Sequence, residues 1–453
     1  METNEKTIIE NLNQFIRTSV TLKLLSIFIL MLLLMIPMEF IKSLITERDQ
    51  LRQTTINEVS NSWANRQNVY GPVLTIPFNK QIMEDGKIKV LSDEVHILPS
   101  SLTVDGKIEP SSLKRGIYKV VVYDSDLSFK GNFTGIKKYL AEMKDTEFLW
   151  DEAFLTINIT DPRGIKDKIP VVWNGHEIAV EPGTQIPELI SSGITIKDIF
   201  TDSTNQEIYN FSFDLHLQGS QYLGFIPLGK ETIVNLTSTW KDPSFNGSFL
   251  PDTRNVDDKG FKANYKILEL NRNYPQSWVG NQNTTSVLNS LFGVELLIPA
   301  NDYQKSMRSA KYALLAIALT FLTFFLVEIF NKKKLHPFQY ILIGLALCLF
   351  YTLLISISEH TNFDIAYIIA SISVIGMIGL YAKSILKDLR QTIILVLILC
   401  LTYSFVYITL RLQDYALIIG SIGLSAILAF TMYITRRINW YDLGSFKRSG
   451  SED

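Results

Sequence analysis

Six apolar runs, each about as long as a bilayer is thick, constrain this chain more than any other feature. A helix needs roughly 20 apolar residues to cross a hydrocarbon core. Residues 22–40 (LKLLSIFILMLLLMIPMEF) meet that need near the N-terminus. After a long polar stretch, residues 312–330, 338–358, 365–382, 392–410 and 415–434 meet it again in close succession. The first run is too long for a signal-peptide core, and no small-x-small cleavage site follows it, only IKSLITERD. It reads as a retained anchor, with Pro37 expected to bend its far end. Hydrophobic residues make up 47% of the 453-residue chain, and their clustering gives a membrane protein with a domain inserted between its first and second spans.

Lys and Arg in the short loops set the orientation of such a chain. Lys332, Lys333, Lys334, Lys383, Lys387 and Arg390 fall on one side, together with Arg436, Arg437, Lys447 and Arg448 of the tail. On the other side, loop 359–364 has no basic residue and loop 411–414 has only Arg411. Both termini are therefore expected in the cytoplasm. Lys305, Arg308 and Lys311 run against this bias, but they end a long translocated segment, where the bias is weak. The expected division is a cytoplasmic amphipathic N-terminus (1–21), an anchor (22–41), an outer β-rich domain (42–311), a five-helix bundle (312–434) and a cytoplasmic tail (435–453). Ile8, Leu12, Phe15, Ile16 and Val20 recur at helical spacing within the first segment. This suits a helix lying on the inner membrane face, or equally one packed on the bundle or extending the anchor.

Period-2 alternation dominates the inserted domain. Tyr209, Phe211, Phe213, Leu215 and Leu217 alternate with Asn210, Ser212, Asp214 and His216. Leu155, Ile157 and Ile159 alternate with polar residues, as do Phe261, Ala263, Tyr265 and Ile267, and likewise Leu127, Phe129 and Phe133. Each run fits a strand with one buried and one wet face. Asp85-Gly86 and Asp105-Gly106 read as hairpin turns, because glycine supplies the positive φ, and Asp161-Pro162-Arg163-Gly164 closes another strand. The clearest helical segment is 135–143. Two packed antiparallel sheets, sandwich-like, are the expected arrangement. A helix is expected to start after Pro299, with Asn301 and Gln304 as a capping pair, and to run unbroken to the end of the second apolar run. Residues 41–66, free of proline and glycine, suit a matching helix on the other side, so that the domain stands on two stalks.

Motifs of catalysis are missing: there is no GxSxG, HExxH or P-loop, and no pair of cysteines at metal spacing. Cys348 and Cys400 both lie in apolar runs, so no disulfide supports the polar domain. The chain is expected to be non-enzymatic and to need no cofactor or metal. A net charge of −2 offers no basic field for nucleic acid. His96, His176 and His216 fall in or beside strands and read as solvated. Trp240, Phe245 and Phe249 in TWKDPSFNGSFLPD suit a sugar- or peptide-binding surface, or alternatively an ordered loop that plugs the core. Ionisable groups near the membrane are costly and often functional. Glu359, His360 and Asp364 form the outer loop between the third and fourth spans, and Glu328 lies near the inner end of the second. All four are also explained by a position at the polar interface, with Glu328 pairing to Lys332. Ser371, Ser373, Gly376 and Gly379, and separately Gly420, Gly423 and Ala426, are small residues that favour close helix packing.

Several segments resemble one known family. They are GPVLTIPF (71–78), RGIYKVVVYDSDLSFKGNF (115–133), TWKDPSFNGSFLPD (239–252), KYALLAIALTFLTFFLVEIF (311–330), LHPFQYILIGLALCLFYTLLISISEH (335–360) and YALIIGSIGLSAILAFTMYITRRINWY (415–441). Together they resemble the CreD family of bacterial inner-membrane proteins from about residue 20 to 441. The resemblance implies the same layout, and a setting of cell-envelope integrity, colicin tolerance and a two-component regulon. It carries no catalytic or ligand residues onto this sequence. The function expected is non-enzymatic: the lipid bilayer is one partner, and the periplasmic domain binds an envelope protein, glycan or lipid. The alternative is a transporter or flippase accessory that moves a lipid or small solute through the bundle.

Overall fold

The computed structural model describes residues 20–84, 87–200, 206–298, 302–331, 335–412 and 415–436. The N-terminal segment, the Asp85-Gly86 turn, Asn301, Lys332 to Lys334 and the tail beyond residue 436 lie outside the described residues. The chain divides into two units: Met1–Leu51 with Ala300–Asp453, and Arg52–Pro299.

The first apolar run and the charged stretch after it form one helix, α1 (Val20–Trp63), with Pro37 inside it. The C-terminal part holds α2 (Asp302–Lys311), α3 (Ala313–Asn331), α4 (Pro337–Ser358), α5 (Phe363–Leu386), α6 (Leu389–Arg411) and α7 (Ala416–Thr435). Among the described residues α1, α4, α5, α6 and α7 are each long and apolar enough to span a bilayer, and α2 with α3 makes a sixth span if the bent pair is counted as one. The pair bends by 44°, so the unbroken rod expected from Pro299 onward is corrected. Composition explains the bend. α2 buries Tyr303, Ser306, Ser309 and Ala310, which lays it against α4, α5 and α6 instead of in line with α3.

Local sequence fixes the short turns of the bundle. His336 accepts from the Phe338 N–H at 3.2 Å while Gln339 reaches back, and Pro337 stands at the first helical position, where its missing N–H costs nothing. Asn362 caps α5 through the Ile365 N–H at 2.9 Å, and Asp388 caps α6 through the Arg390 N–H at 2.9 Å.

The second unit is built on two sheets with ten and eight strands among the described residues. β1 (Gln67–Glu84), β2 (Lys87–Ile97), β3 (Ser101–Arg115) and β4 (Tyr118–Thr134) open it. β1 and β2 pair from Leu74 with Ile97 to Glu84 with Lys87, and β1 also carries the strand Phe154–Ile159. β3 and β4 form the centre of the eight-stranded sheet, flanked by Glu231–Ser238 and Ile208–Ser220. The antiparallel expectation needs one amendment, since each sheet holds a parallel pair: β1 with Tyr222–Phe225, and β3 with Glu231–Ser238.

Asp105-Gly106 is not a turn: it lies mid-strand in β3, opposite Ser128 and Leu127. The physical reason is depth. A Cβ on Gly106 would stand 2.8 Å from Leu236 and 3.0 Å from Leu127, so glycine is there for close packing. Asp161 to Gly164 does close a strand, as a 3-10 turn capped by Asp161. The 135–143 segment is helical over Ile136–Leu140.

The two sheets share one core. Phe129 stacks on Phe213 at 4.6 Å within one sheet, and Tyr265 of the eight-stranded sheet meets Phe292 of the other at 4.8 Å. Burial follows the alternation in Ile208–Ser220 and Gly260–Leu268. Phe154–Ile159 departs from it, being buried on both faces. Ile186, Leu189 and Ile190 belong to the same core, and the Leu189 carbonyl accepts from the Tyr70 hydroxyl at 3.1 Å. The end of α1 belongs to this unit as well: Ile56 and Val59 pack on Val120 and Val122.

Candidate functional site

Charged side chains of the membrane unit collect at the two ends of the bundle. At one end Glu328, in the last turn of α3, is only 7% exposed. Its carboxylate takes Lys23 of α1, the Leu335 N–H at 3.0 Å and the Tyr340 hydroxyl at 3.1 Å. Lys23 donates in turn to the Leu335 carbonyl at 3.2 Å. A buried charge needs both an opposite charge and hydrogen bonds to its remaining lone pairs, and here it has both. Glu328 thus joins α1, α3 and α4 at this end of the bundle, while Lys332, its expected partner, lies outside the described residues.

The opposite end holds the loop residues singled out in the sequence, and the structure separates them. Glu359 follows the last turn of α4 and accepts from the Tyr303 hydroxyl at 3.1 Å, with Arg48 Nε at 3.8 Å. His360 is exposed. Asp364 sits in the first turn of α5 and accepts from the Tyr407 hydroxyl at 3.0 Å. The Phe363 N–H reaches Asp302, and Lys305 Nζ stands 5.6 Å over the Phe363 ring. Lys305 and Arg411 fall at this end as their place in the sequence implied, whereas Arg48, Tyr303 and Tyr407 were not singled out there. The available signal is the two-sided pattern of residues 302–311, with Tyr303, Ser306, Ser309 and Ala310 on the buried side.

The small residues divide in role. A Cβ on Gly379 would meet Val396 at 2.9 Å, and one on Gly423 would meet Phe405 at 2.3 Å, so both let α6 approach closely. Gly376 and Gly420 face open space.

In the β-rich unit, Trp240, Phe245 and Phe249 all pack against the core. The Trp240 indole donates to the Leu297 carbonyl at 2.9 Å, Phe245 meets Phe261 edge-on at 5.5 Å, and Phe249 meets Phe292 edge-on at 6.0 Å. His96 is buried, not solvated. It contacts the Thr75 hydroxyl at 3.0 Å through Nδ1 and lies 5.6 Å from the Trp278 ring. Burial holds its imidazole down at about 4, against a smaller opposing pull from Asp93. His216 is exposed as expected and pairs with Asp126.

Strand register assembles a polar face that sequence alone did not reveal. Lys262, Thr237, Lys107, Asp126 and His216 stand opposite one another in turn across five strands. The neighbouring row holds Asn264, Asn235, Asp105, Ser128 and Asp214. Within it Asn264 donates to Asn235 and Asn235 to Asp105 at 2.8 Å. Two adjoining grooves of about 570 and 340 Å³ open on this face and share Thr237, Asn255 and Lys262. Side chains there offer ammonium, amide, hydroxyl and carboxylate groups together.

Comparison with known proteins agrees with this architecture. The family model described as Inner membrane protein CreD matches residues 19–441. The Inner membrane protein CreD of Escherichia coli (strain K12) is 35% identical over 436 residues, covering 95% of this chain and 96% of that protein. An apolar N-terminal helix, an inserted unit of two mixed sheets and an apolar helical C-terminal part thus define a multi-pass protein of the inner membrane, and the chain belongs to the CreD family.

Proposed function

We propose that this protein supports cell-envelope integrity by binding, without a catalytic step, and that its β-rich unit engages a polar component of the envelope from the periplasmic side. The orientation rests on the charge bias: ten basic residues in the loops and tail assigned to the cytoplasm, against Arg411 alone in the short loops opposite. That puts both termini inside and residues 42–311 in the periplasm.

The observation that carries the binding role is the five-strand polar face with its paired grooves. Cross-strand rows of Lys, Asn, Thr, Asp and His present donors and acceptors at the regular ~4.8 Å strand spacing, which suits a repeating polymer rich in hydroxyl, amide and carboxylate groups. Trp240, Phe245 and Phe249 contribute by holding the adjacent loop on the core. The test is co-sedimentation of the full-length protein, in detergent, with isolated cell-wall glycan. Lys107→Glu with Lys262→Glu is expected to weaken retention by about tenfold while His216→Ala, at the end of the row, costs less. Wild-type protein that stays in the supernatant, or a double variant that binds as well as wild type, removes the proposal.

A further inference from the structure

Between α2, the start of α5 and the end of α6 lies a pocket that the envelope-binding role does not use. Lys305, Phe363, Asp364, Tyr407, Leu410 and Arg411 line its volume of about 270 Å³. Two cations, a carboxylate and a phenol meet there beside Phe363 and Leu410. Among the described residues neither Lys305 nor Arg411 has a carboxylate at ion-pair distance. Asp364 accepts a hydrogen bond from the Tyr407 hydroxyl through Oδ1.

Position narrows the ligand. Arg411 ends α6 and Asp364 begins α5, so the pocket lies where spanning helices leave the hydrocarbon, in the layer that headgroups occupy. Its volume falls just below the ~300–1,000 Å³ of pockets for drug-sized ligands. It therefore takes a headgroup, with the acyl chains outside. Arg and Lys recognise phosphate oxygens through charge-assisted hydrogen bonds, and a free carboxylate oxygen recognises an ammonium group.

We propose that this pocket binds the headgroup of an amine-bearing phospholipid, its phosphodiester between Lys305 and Arg411 and its ammonium at Asp364. Helix ends alone build the site, so it stands whichever leaflet this end faces and whatever the β-rich unit binds.

The test is native mass spectrometry of the full-length protein in detergent, titrated separately with dihexanoyl phosphatidylethanolamine, dihexanoyl phosphatidylglycerol and inorganic phosphate. Wild type is expected to retain phosphatidylethanolamine in preference to phosphatidylglycerol. Lys305→Gln with Arg411→Gln lowers retention of both lipids by about tenfold. Asp364→Asn lowers only that of phosphatidylethanolamine, and Arg411→Lys, which keeps the cation, preserves it. Equal retention by the double glutamine variant overturns the site. Loss of preference for the amine headgroup in wild type overturns the role of Asp364. Saturation by inorganic phosphate with neither lipid retained reassigns the pocket to free phosphate and overturns the lipid.

Discussion

Glu328 and Asp161 are both buried carboxylates, 7% and 6% exposed, yet the two units of the molecule satisfy them differently. Asp161, in the β-rich unit, collects a dense set of N–H donors. Arg163 Nε reaches it at 2.8 Å and Nη2 at 2.6 Å, the Asn65 N–H and side-chain amide each at 3.0 Å, and the Arg163 N–H at 3.2 Å. The guanidinium meanwhile stays largely in water, with 61% of its side chain exposed. These contacts, the Arg163 side chain first, hold the carboxyl down at about 2. Among the described residues Glu328 has one opposite charge, the mostly buried Lys23 with 24% of its side chain exposed, and two further donors, the Leu335 N–H and the Tyr340 hydroxyl. The comparison teaches where fragility lies. A carboxylate held by many donors loses a fraction of its support when one goes. A carboxylate with one opposite charge in a low-dielectric bundle loses its charge compensation when that one goes, and neutral donors do not replace it.

The largest effect is therefore expected at the membrane pair. Lys23→Ala leaves Glu328 buried without its cation and should destabilise the bundle by about 3–5 kcal/mol. Adding Glu328→Gln to Lys23→Met removes both charges and should restore most of that loss. Thermal unfolding of the full-length protein in detergent reads both variants, and a double variant no better than Lys23→Ala breaks the contrast.

Next comes Asp161. Its carboxyl is depressed from 3.8 to about 2, so its stabilisation is fully present above pH 3.8 and is lost as pH falls through 2. Asp161→Asn should cost about 2 kcal/mol at neutral pH and flatten the acid limb. Hydrogen exchange across Phe154–Ile159 localises the change to the β-rich unit. Full protection in the variant would show that the donors around Asp161 do not carry the fold.

Last comes His96, a third kind of buried ionisable group that is held neutral, with an effect of the same order as that of Asp161. Burial lowers it from 6.5 to about 4, so its stabilisation is present above pH 6.5 and fades as pH falls toward 4. Between pH 7 and pH 5 this should cost the β-rich unit roughly 2 kcal/mol. His96→Gln, which does not titrate, should remove that slope, as measured by hydrogen exchange of β2 at both pH values. An unchanged slope would mean that another group drives acid sensitivity.

These three groups also show what could be read from the sequence. Asp161 and Arg163 stand two residues apart in a turn motif, and the closure of the strand there was legible because the interaction is local. Glu328 and Lys23 lie 305 residues apart, and nothing in either neighbourhood names the other. His96 read as solvated because strand alternation reports only which residues share a face. It does not report that β2 would be covered by Trp278 from the strand Ser277–Val279.

The polar domain divides along the same line. Alternation in Ile208–Ser220 and Gly260–Leu268 foretold the buried residues, since period 2 is a property of the backbone. The rows across five strands, and the grooves on them, depend on register, and register is set by pairing between strands far apart in the chain. Asp105-Gly106 misled for a related reason: the dipeptide suits a tight turn, but glycine serves equally where Leu236 and Leu127 close over a strand.

By itself the sequence determined the membrane class, the spans and the inserted β-rich unit, because apolar length and periodicity are local quantities that solvent reads directly. Tertiary structure decided the bend between α2 and α3, the Lys23–Glu328 network, the separation of Glu359 from Asp364, and the pocket between Lys305 and Arg411. Each depends on which distant surfaces meet, and burial makes a charge costly or useful only after they have met.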